Sequence, residues 1–213
     1  MDLLIHERMY RSEEVVGKLS TTPITLCGVG AIGSNLCDNL VRQGFKEITI
    51  IDKDRIEPHN NGTQIWNQNE KGTYKVATMK MRAYASTKTV LNANSKELNK
   101  TTVSKYLKKP NIIIDSFDNN ISRKLVYQYC KDNGLSCLHV GLSQDYAEII
   151  WNESYTVPKD TIAPDVCEYP LARNIILLAV AVASESLIKF IESGVKKNYI
   201  ITLKDMKISE FDR

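Results

Sequence analysis

Short apolar runs alternate with stretches in which apolar residues recur every three or four positions, and this alternation spans almost the whole chain. Pro23-Ile24-Thr25-Leu26-Cys27 reads as a buried strand. Ile32, Leu36, Leu40 and Val41 fall on one helical face up to Gly44, and Ile48-Thr49-Ile50-Ile51 makes the next strand, closed by Asp52. Asn111-Ile112-Ile113-Ile114-Asp115 is a continuous apolar strand ending in an acid, as a parallel strand covered on both faces requires. A helix over 122–133, a strand over 136–141 and an antiparallel strand over 147–152 follow. Residues 171–193 predict a long helix, apolar nearly all round in its first half, and residues 199–203 a final edge strand. Further helices are expected over 6–19, 74–87 and 102–107, and a short strand over 89–92. Two polar segments, 53–73 and 153–168, show no period and read as loops, and a loop as long as the first usually has a function. The fold class is α/β: a Rossmann-like doubly wound sheet, mostly parallel, with antiparallel strands at the C-terminal side. One domain covers 1–213, with a helical arm over 1–20 and a crossover loop over 153–170.

Bulk properties narrow the classes. The chain has 213 residues, 43% hydrophobic and 25% charged, ordinary for a globular protein that buries its core without disulfides. A net charge of +3 and the lack of an aromatic stacking series give no reason to expect nucleic acid as a partner. Five cysteines without a CxxC pair fit reduced thiols in a cytoplasmic protein, and neither a disulfide framework nor zinc is expected. No signal-peptide pattern opens the chain. The longest apolar stretch, residues 175–183, is too short to cross a bilayer, so no membrane is expected either.

The chemistry concentrates at the first strand–helix turn. Gly28-Val29-Gly30-Ala31-Ile32-Gly33 stands between an apolar strand and an amphipathic helix, and Asp52 follows 19 residues after Gly33 at the end of the next strand. Such a βαβ unit binds the sugar and phosphates of a nucleotide. The glycines permit a tight turn and close approach, the helix N-terminus offers free N–H groups, and the acid accepts ribose hydroxyls. In open α/β sheets ligands lie beyond the carboxyl ends of the strands, where the glycine turn, Asp52 and residues 115–118 all fall. These features alone suit a dinucleotide-dependent oxidoreductase as well as any other nucleotide enzyme.

Residues 52–80 discriminate. Asp52-Lys53-Asp54-Arg55-Ile56-Glu57-Pro58-His59-Asn60-Asn61-Gly62-Thr63-Gln64, followed by Glu70-Lys71-Gly72-Thr73-Tyr74-Lys75, resembles the ThiF/MoeB adenylyltransferase family, which is related to ubiquitin-activating enzymes. Asp54, Asn60, Gln64, Gly72 and Lys75 fall in register with its motif, as do Asp115-Ser116-Phe117-Asp118-Asn119 and Arg123. Glu7-Arg8-Met9-Tyr10-Arg11-Ser12 is similar to the family's N-terminal arginine-containing helix, and the likeness extends over residues 6–193. The resemblance implies a ThiF-like adenylation domain that uses ATP and Mg²⁺ to activate the C-terminal glycine carboxylate of a ubiquitin-like or sulfur-carrier protein. By position, Asp118 would hold Mg²⁺, Lys75 would compensate phosphate charge, Asn60 would hydrogen-bond a phosphate and Asp52 would hold the ribose. Gly28, Gly30, Ala31, Ile32, Gly33, Asp54 and Gln64 complete the nucleotide-binding set. Arg8 or Arg11 would reach the terminal phosphate, in the family from the other subunit of a homodimer.

Two positions qualify the likeness. Thr63 stands where the family carries arginine, which removes a phosphate cation unless Lys71 or Lys80 replaces it. That loss also motivates a second reading, a non-catalytic or partner-dependent relative. Cys167 lies where many members place a reactive cysteine, and Lys189 sits near the lysine that follows it in the family. A thiolate there would take the activated acyl group, whereas a member that stops at the adenylate would need no such residue. Cys27, Cys37, Cys130 and Cys137 read as small apolar residues, and His6 and His139 show no metal-ligand spacing.

Overall fold

The computed structural model describes residues 2–158 and 170–211. Its centre is one eight-stranded sheet in the order β3-β2-β1-β4-β5-β6-β7-β8. The strands are β1 (Ile24–Cys27), β2 (Ile48–Ile51), β3 (Asn92–Asn94), β4 (Ile112–Asp115), β5 (Cys137–Ser143), β6 (Tyr146–Trp151), β7 (Asn198–Thr202) and β8 (Lys207–Phe211). The first five run parallel and the last three form an antiparallel meander. The helices are α1 (Ile5–Arg11), α2 (Glu13–Thr21), α3 (Ala31–Arg42), α4 (Lys75–Thr87), α5 (Val103–Tyr106), α6 (Asn120–Asn133) and α7 (Arg173–Ser193).

Strict alternation along the parallel strands divides the core. Ile24, Leu26, Ile48, Ile50, Ile112, Ile114, Leu138 and Val140 face one side, where they pack under α2, α3, α4 and α7. Cys27, Ile51, Ile113 and Cys137 face the other, under Val103, Leu107, Val126 and Cys130. A strand buried on both faces therefore reads as an unbroken apolar run. After β1 the chain builds β2 and β3 on one side, then returns past β1 to build β4 on the other. That reversal opens a crevice at the carboxyl ends of β1 and β4, the topological switch point.

Four details differ from the sequence reading. The helix expected over 6–19 is two helices, broken at Ser12, whose φ is 89° and whose hydroxyl accepts the Val15 N–H to start α2. The strand expected over 89–92 pairs only from Asn92, because Leu91 turns into the core while Val90 stays exposed. β7 is not an edge: residues 207–211 fold back on it as β8, through a turn with Met206 at φ 54°. α7, at 21 residues, is by length and composition alone apolar enough to cross a membrane, although the run 175–183 is not. In this fold Ile175, Ile176, Ala179, Ala183, Leu187 and Ile188 are buried in the core.

Candidate nucleotide site

The glycine turn is shaped by contact with the end of β4. Gly28 takes φ +92°, and a β-carbon there would lie 3.0 Å from the Ser116 carbonyl oxygen. A β-carbon on Gly33 would lie 2.1 Å from the Gly28 carbonyl oxygen and 2.8 Å from Ser116 Oγ. Ser116 Oγ in turn donates to the carbonyls of Cys27 and Gly28 at 3.0 and 3.1 Å. Gly30, which caps α3, differs: nothing stands within 4 Å of where its side chain would start. Two glycines thus serve packing, and the middle one leaves the approach to the α3 N-terminus open. Ala31 and Ile32 form the first turn of α3, with Ile32 in the core.

Asp52 fixes the other wall. Its Oδ2 accepts the Val29 N–H at 2.7 Å and its Oδ1 accepts the Asp54 N–H at 2.8 Å. Burial pushes this carboxyl above its ordinary pKa, while Lys75 and the two N–H groups pull part of the way back. Lys75 opens α4 with its side chain buried, its N–H bonded to the Asp54 carbonyl at 3.0 Å and its Nζ 3.2 Å from Asp54 Oδ2. The segment between them, read as loop, is closed by backbone bonds from Ile56 to Thr73 and from Gly72 to Ile56, both 2.9 Å. Arg82 on α4 clamps it further through Glu70 at 2.7 Å.

Within that segment, Pro58–Gly62 forms a 3-10 turn. There Asn60 Oδ1 accepts the Glu57 N–H at 2.9 Å, and the Glu57 carboxylate accepts the Asn60 N–H. The Asn60 amide N–H groups stay uncommitted among the described residues, free to donate to an anion. Gln64 is buried, its Oε1 accepting the Trp66 indole N–H at 2.5 Å, so it holds the loop's own fold. Asn35 on α3 donates to the carbonyls of Ala31 and Thr63 at 2.7 and 3.0 Å, fastening the turn to the first turn of α3.

Across the crevice, Asp118 is exposed in the loop between β4 and α6, and Asn119 caps α6 by accepting the Ser122 N–H at 2.9 Å. A carboxylate at the rim fits a Mg²⁺ that keeps most of its waters and takes its other ligands from nucleotide phosphates. Among the described residues no three His, Cys, Asp or Glu side chains converge as a metal-ligand set.

Arg8 and Arg11 are not brought to this crevice. Arg8 pairs with Asp2 and Glu13, and Arg11 with Glu7 and Glu185, both at 2.7 Å. Burial opposes the Arg11 charge, but the two carboxylates outweigh it and raise its pKa. Glu185 lies twelve residues along α7 from Arg173, about 18 Å at 1.5 Å per residue. Cys167 lies outside the described residues, as does most of the crossover loop. The other four thiols are buried, and burial pushes those of Cys27, Cys37 and Cys137 up.

Behind Asp115 lies a network of which sequence reasoning named Arg123 by register with the family motif but missed the partners His139, Asn152 and Tyr155. This acid does not face the crevice; it is wholly buried. His139, its register neighbour on β5, donates from Nδ1 to Asp115 Oδ2 at 2.9 Å and places Nε2 3.0 Å from Asn152 Oδ1. Arg123 on α6 lies 3.8 Å from the same carboxylate, binds the Val140 carbonyl at 2.7 Å and meets the Tyr155 hydroxyl at 3.2 Å. Tyr155 stacks on His139, ring centroids 3.7 Å apart. Burial alone would raise the Asp115 carboxyl, but Arg123 and then His139 hold it below the ordinary aspartate value. Asp115 Oδ1 also accepts the Phe117 N–H at 3.2 Å, so the network fixes the loop that carries Asp118. Parallel pairing between β4 and β5 was the signal available, since it sets the two strand ends side by side.

Fold and site together define a Rossmann-like α/β protein with a glycine turn at the switch point of its sheet. The sequence profile of the ThiF family matches residues 6–160, and the chain belongs to that family. SUMO-activating enzyme subunit 2 of Dictyostelium discoideum is 28% identical over 116 residues, 53% of this chain and 18% of that protein. The chain thus matches less than a fifth of that relative's length. The fold is shared with MccB of Escherichia coli. The structure of MccB with MccA-N7isoAsn superimposes with a TM-score of 0.82 at 20% identity, over 98% of this chain and 70% of that one. The structure with ATP gives 0.80 at 20%, over 98% and 69%. PaaA gives 0.74 at 16% identity, over 93% and 75%.

Two predictions follow from the geometry. Gly33→Ala should destabilise the fold by about 2 kcal/mol or more in thermal unfolding, whereas Gly30→Ala should stay within about 0.5 kcal/mol; equal losses would contradict the assigned roles. Asp115→Asn should cost about 3–5 kcal/mol at pH 7 in urea unfolding. A carboxyl held below its ordinary pKa stabilises the fold above about pH 3.9 and stops doing so as the pH falls through its own value. The gap between wild type and variant should therefore narrow below about pH 4. A gap independent of pH would count against the ion network.

Proposed function

We propose that this chain uses ATP to adenylate the C-terminal carboxylate of a ubiquitin-like or sulfur-carrier protein or peptide. Family membership supports the reading, as does MccB, which has been solved with ATP and with N-formylated MccA, and a relative named for activating SUMO. The observation that carries it is the open α3 N-terminus over Gly30, beside a turn held by Asp52, at the same carboxyl edge of the sheet as the segments that carry Asn60, Lys75 and Asp118.

The incoming carboxylate oxygen attacks the α-phosphorus, the bond to the bridging oxygen of pyrophosphate breaks, and acyl-adenylate and pyrophosphate result. Both reactants are anions, so the need is for fixed donors and cations rather than for a strong base, each well-placed donor contributing ~3 kcal/mol of barrier. Lys75 would exchange Asp54 for phosphate, Asn60 would donate to a phosphate oxygen, and Asp52 would accept a ribose hydroxyl while holding the turn. Asp118 would hold Mg²⁺, which supplies charge neutralisation on the phosphates when bound. A second step, attack of a Cys167 thiolate on the acyl-adenylate with release of AMP, stays part of the proposal; none of the four described thiols, all buried, is placed to take the acyl group. Arg8 and Arg11 are engaged by carboxylates of their own chain, so their supply to the terminal phosphate from a second copy, as in a homodimer, rests on the family resemblance and requires those pairs to open. That engagement, together with Thr63 in place of arginine, supports the second reading, a non-catalytic or partner-dependent subunit.

ATP–pyrophosphate exchange with small proteins and peptides bearing free C-termini tests the reaction. Asp118→Asn, at an exposed position, should keep its unfolding midpoint and lose about a hundredfold in exchange, a few kcal/mol of barrier. Absence of exchange in a folded wild type, with stabilisation by NAD(H) and not by Mg-ATP, would favour an oxidoreductase instead.

A further inference from the structure

We propose that Arg173, the first residue of α7, is a phosphate-binding residue that supplies the cation missing at Thr63; the inference rests on the nucleotide reading above. α3 and α7 pack side by side with their N-termini at the same end. Asn35, Asp38 and Asn39 of α3 line one groove with Leu177, Val180 and Ala181 of α7. Asn39 Nδ2 donates to Ser184 Oγ at 2.9 Å. Stepping both helices back eight residues from that bond, about two turns, sets Ile176 level with Ala31, the first residue of α3, so Arg173, nearly one turn further back on α7, lies beyond the α3 N-terminus on the side of the glycine turn.

The side chain confirms the register. Arg173 Nη1 reaches the Gly62 carbonyl at 3.4 Å, one residue from Thr63. Thr63 is itself fastened to the first turn of α3 through Asn35, so the guanidinium stands beside the helix end that would receive phosphate. Among the described residues Arg173 has no carboxylate partner. Arg8, Arg11, Arg42, Arg82 and Arg123 all have one, and Arg55 lies over the Tyr74 ring. One long bond leaves the rest of a planar five-donor fork for a phosphate, which a guanidinium binds in bidentate fashion. Lys80 is a poorer substitute. It lies five positions beyond the inward-facing Lys75, about 140° around α4, and is exposed.

The test is calorimetric titration of the full chain with Mg-ATP and with adenosine. Arg173→Ala should weaken Mg-ATP binding about tenfold and change adenosine binding by less than about twofold. Arg173→Lys should retain part of the affinity. Thr63→Arg introduced into Arg173→Ala should restore Mg-ATP binding to within about threefold of wild type, which repair of a structural defect at residue 173 would not do. Unchanged Mg-ATP affinity in Arg173→Ala, an equal loss for adenosine, or no rescue by Thr63→Arg overturns the assignment while leaving the nucleotide reading intact. A folded wild type that binds adenosine and Mg-ATP equally weakly, or not at all, overturns both.

Discussion

The structure depends on one close approach: the glycine turn after β1 lies backbone to backbone against Ser116 at the end of β4. Ser116 Oγ bonds the carbonyls of Cys27 and Gly28, and Gly28 and Gly33 have no room for a side chain beneath it. This contact joins the two halves of the sheet at the point where their winding reverses. It sets the α3 N-terminus opposite the loop of Asp118, so a ligand held by one meets the other. Asp52 completes the frame by tying Val29 to Asp54 from the end of β2.

Two strands end in acids, and their fates differ for physical reasons. Asp52 accepts only backbone N–H groups at the crevice wall, with Lys75 as its nearest cation, and keeps the glycine turn in place. Asp115 points inward, where β5 presents His139 in register and α6 delivers Arg123. A buried carboxylate is tolerated only with such partners, and the same partners immobilise the turn to Asp118. The sequence shows both acids at strand ends but not which face of the loop each takes. That depends on pairing between β4 and β5 and on the angle at which α6 returns.

Much of the fold was legible because parallel strands covered on both faces leave unbroken apolar runs, and the turn-and-helix pattern of residues 28–41 has few alternative uses. The order 3-2-1-4 also follows from the motif, since a glycine turn of this kind sits at a switch point. What was not legible had weak local signals. β8 exposes most of its residues and gains its pairing from β7, so its short mixed run Lys207-Ile208-Ser209-Glu210-Phe211 carried no strand signature. Ser12 breaks the first helix by a backbone conformation that serine seldom takes. The loop 53–73 reads as irregular because its order comes from capping boxes and pairs such as Arg82–Glu70 rather than from periodicity. Within the site, Gly30 was visible from the glycine spacing, and Asn60 and Lys75 only through the family resemblance. The place of Arg173 was not, because nothing local links residue 173 to residue 62; only the packing of α7 along α3 does.

The most direct measurement is a crystal structure with Mg²⁺ and a non-hydrolysable ATP analogue. The account predicts phosphates over Gly30 at the α3 N-terminus, a ribose hydroxyl on Asp52, and Lys75 Nζ moved off Asp54 onto phosphate. A nucleotide bound elsewhere, or a crevice left empty with the Lys75–Asp54 pair intact under saturating ligand, would contradict it.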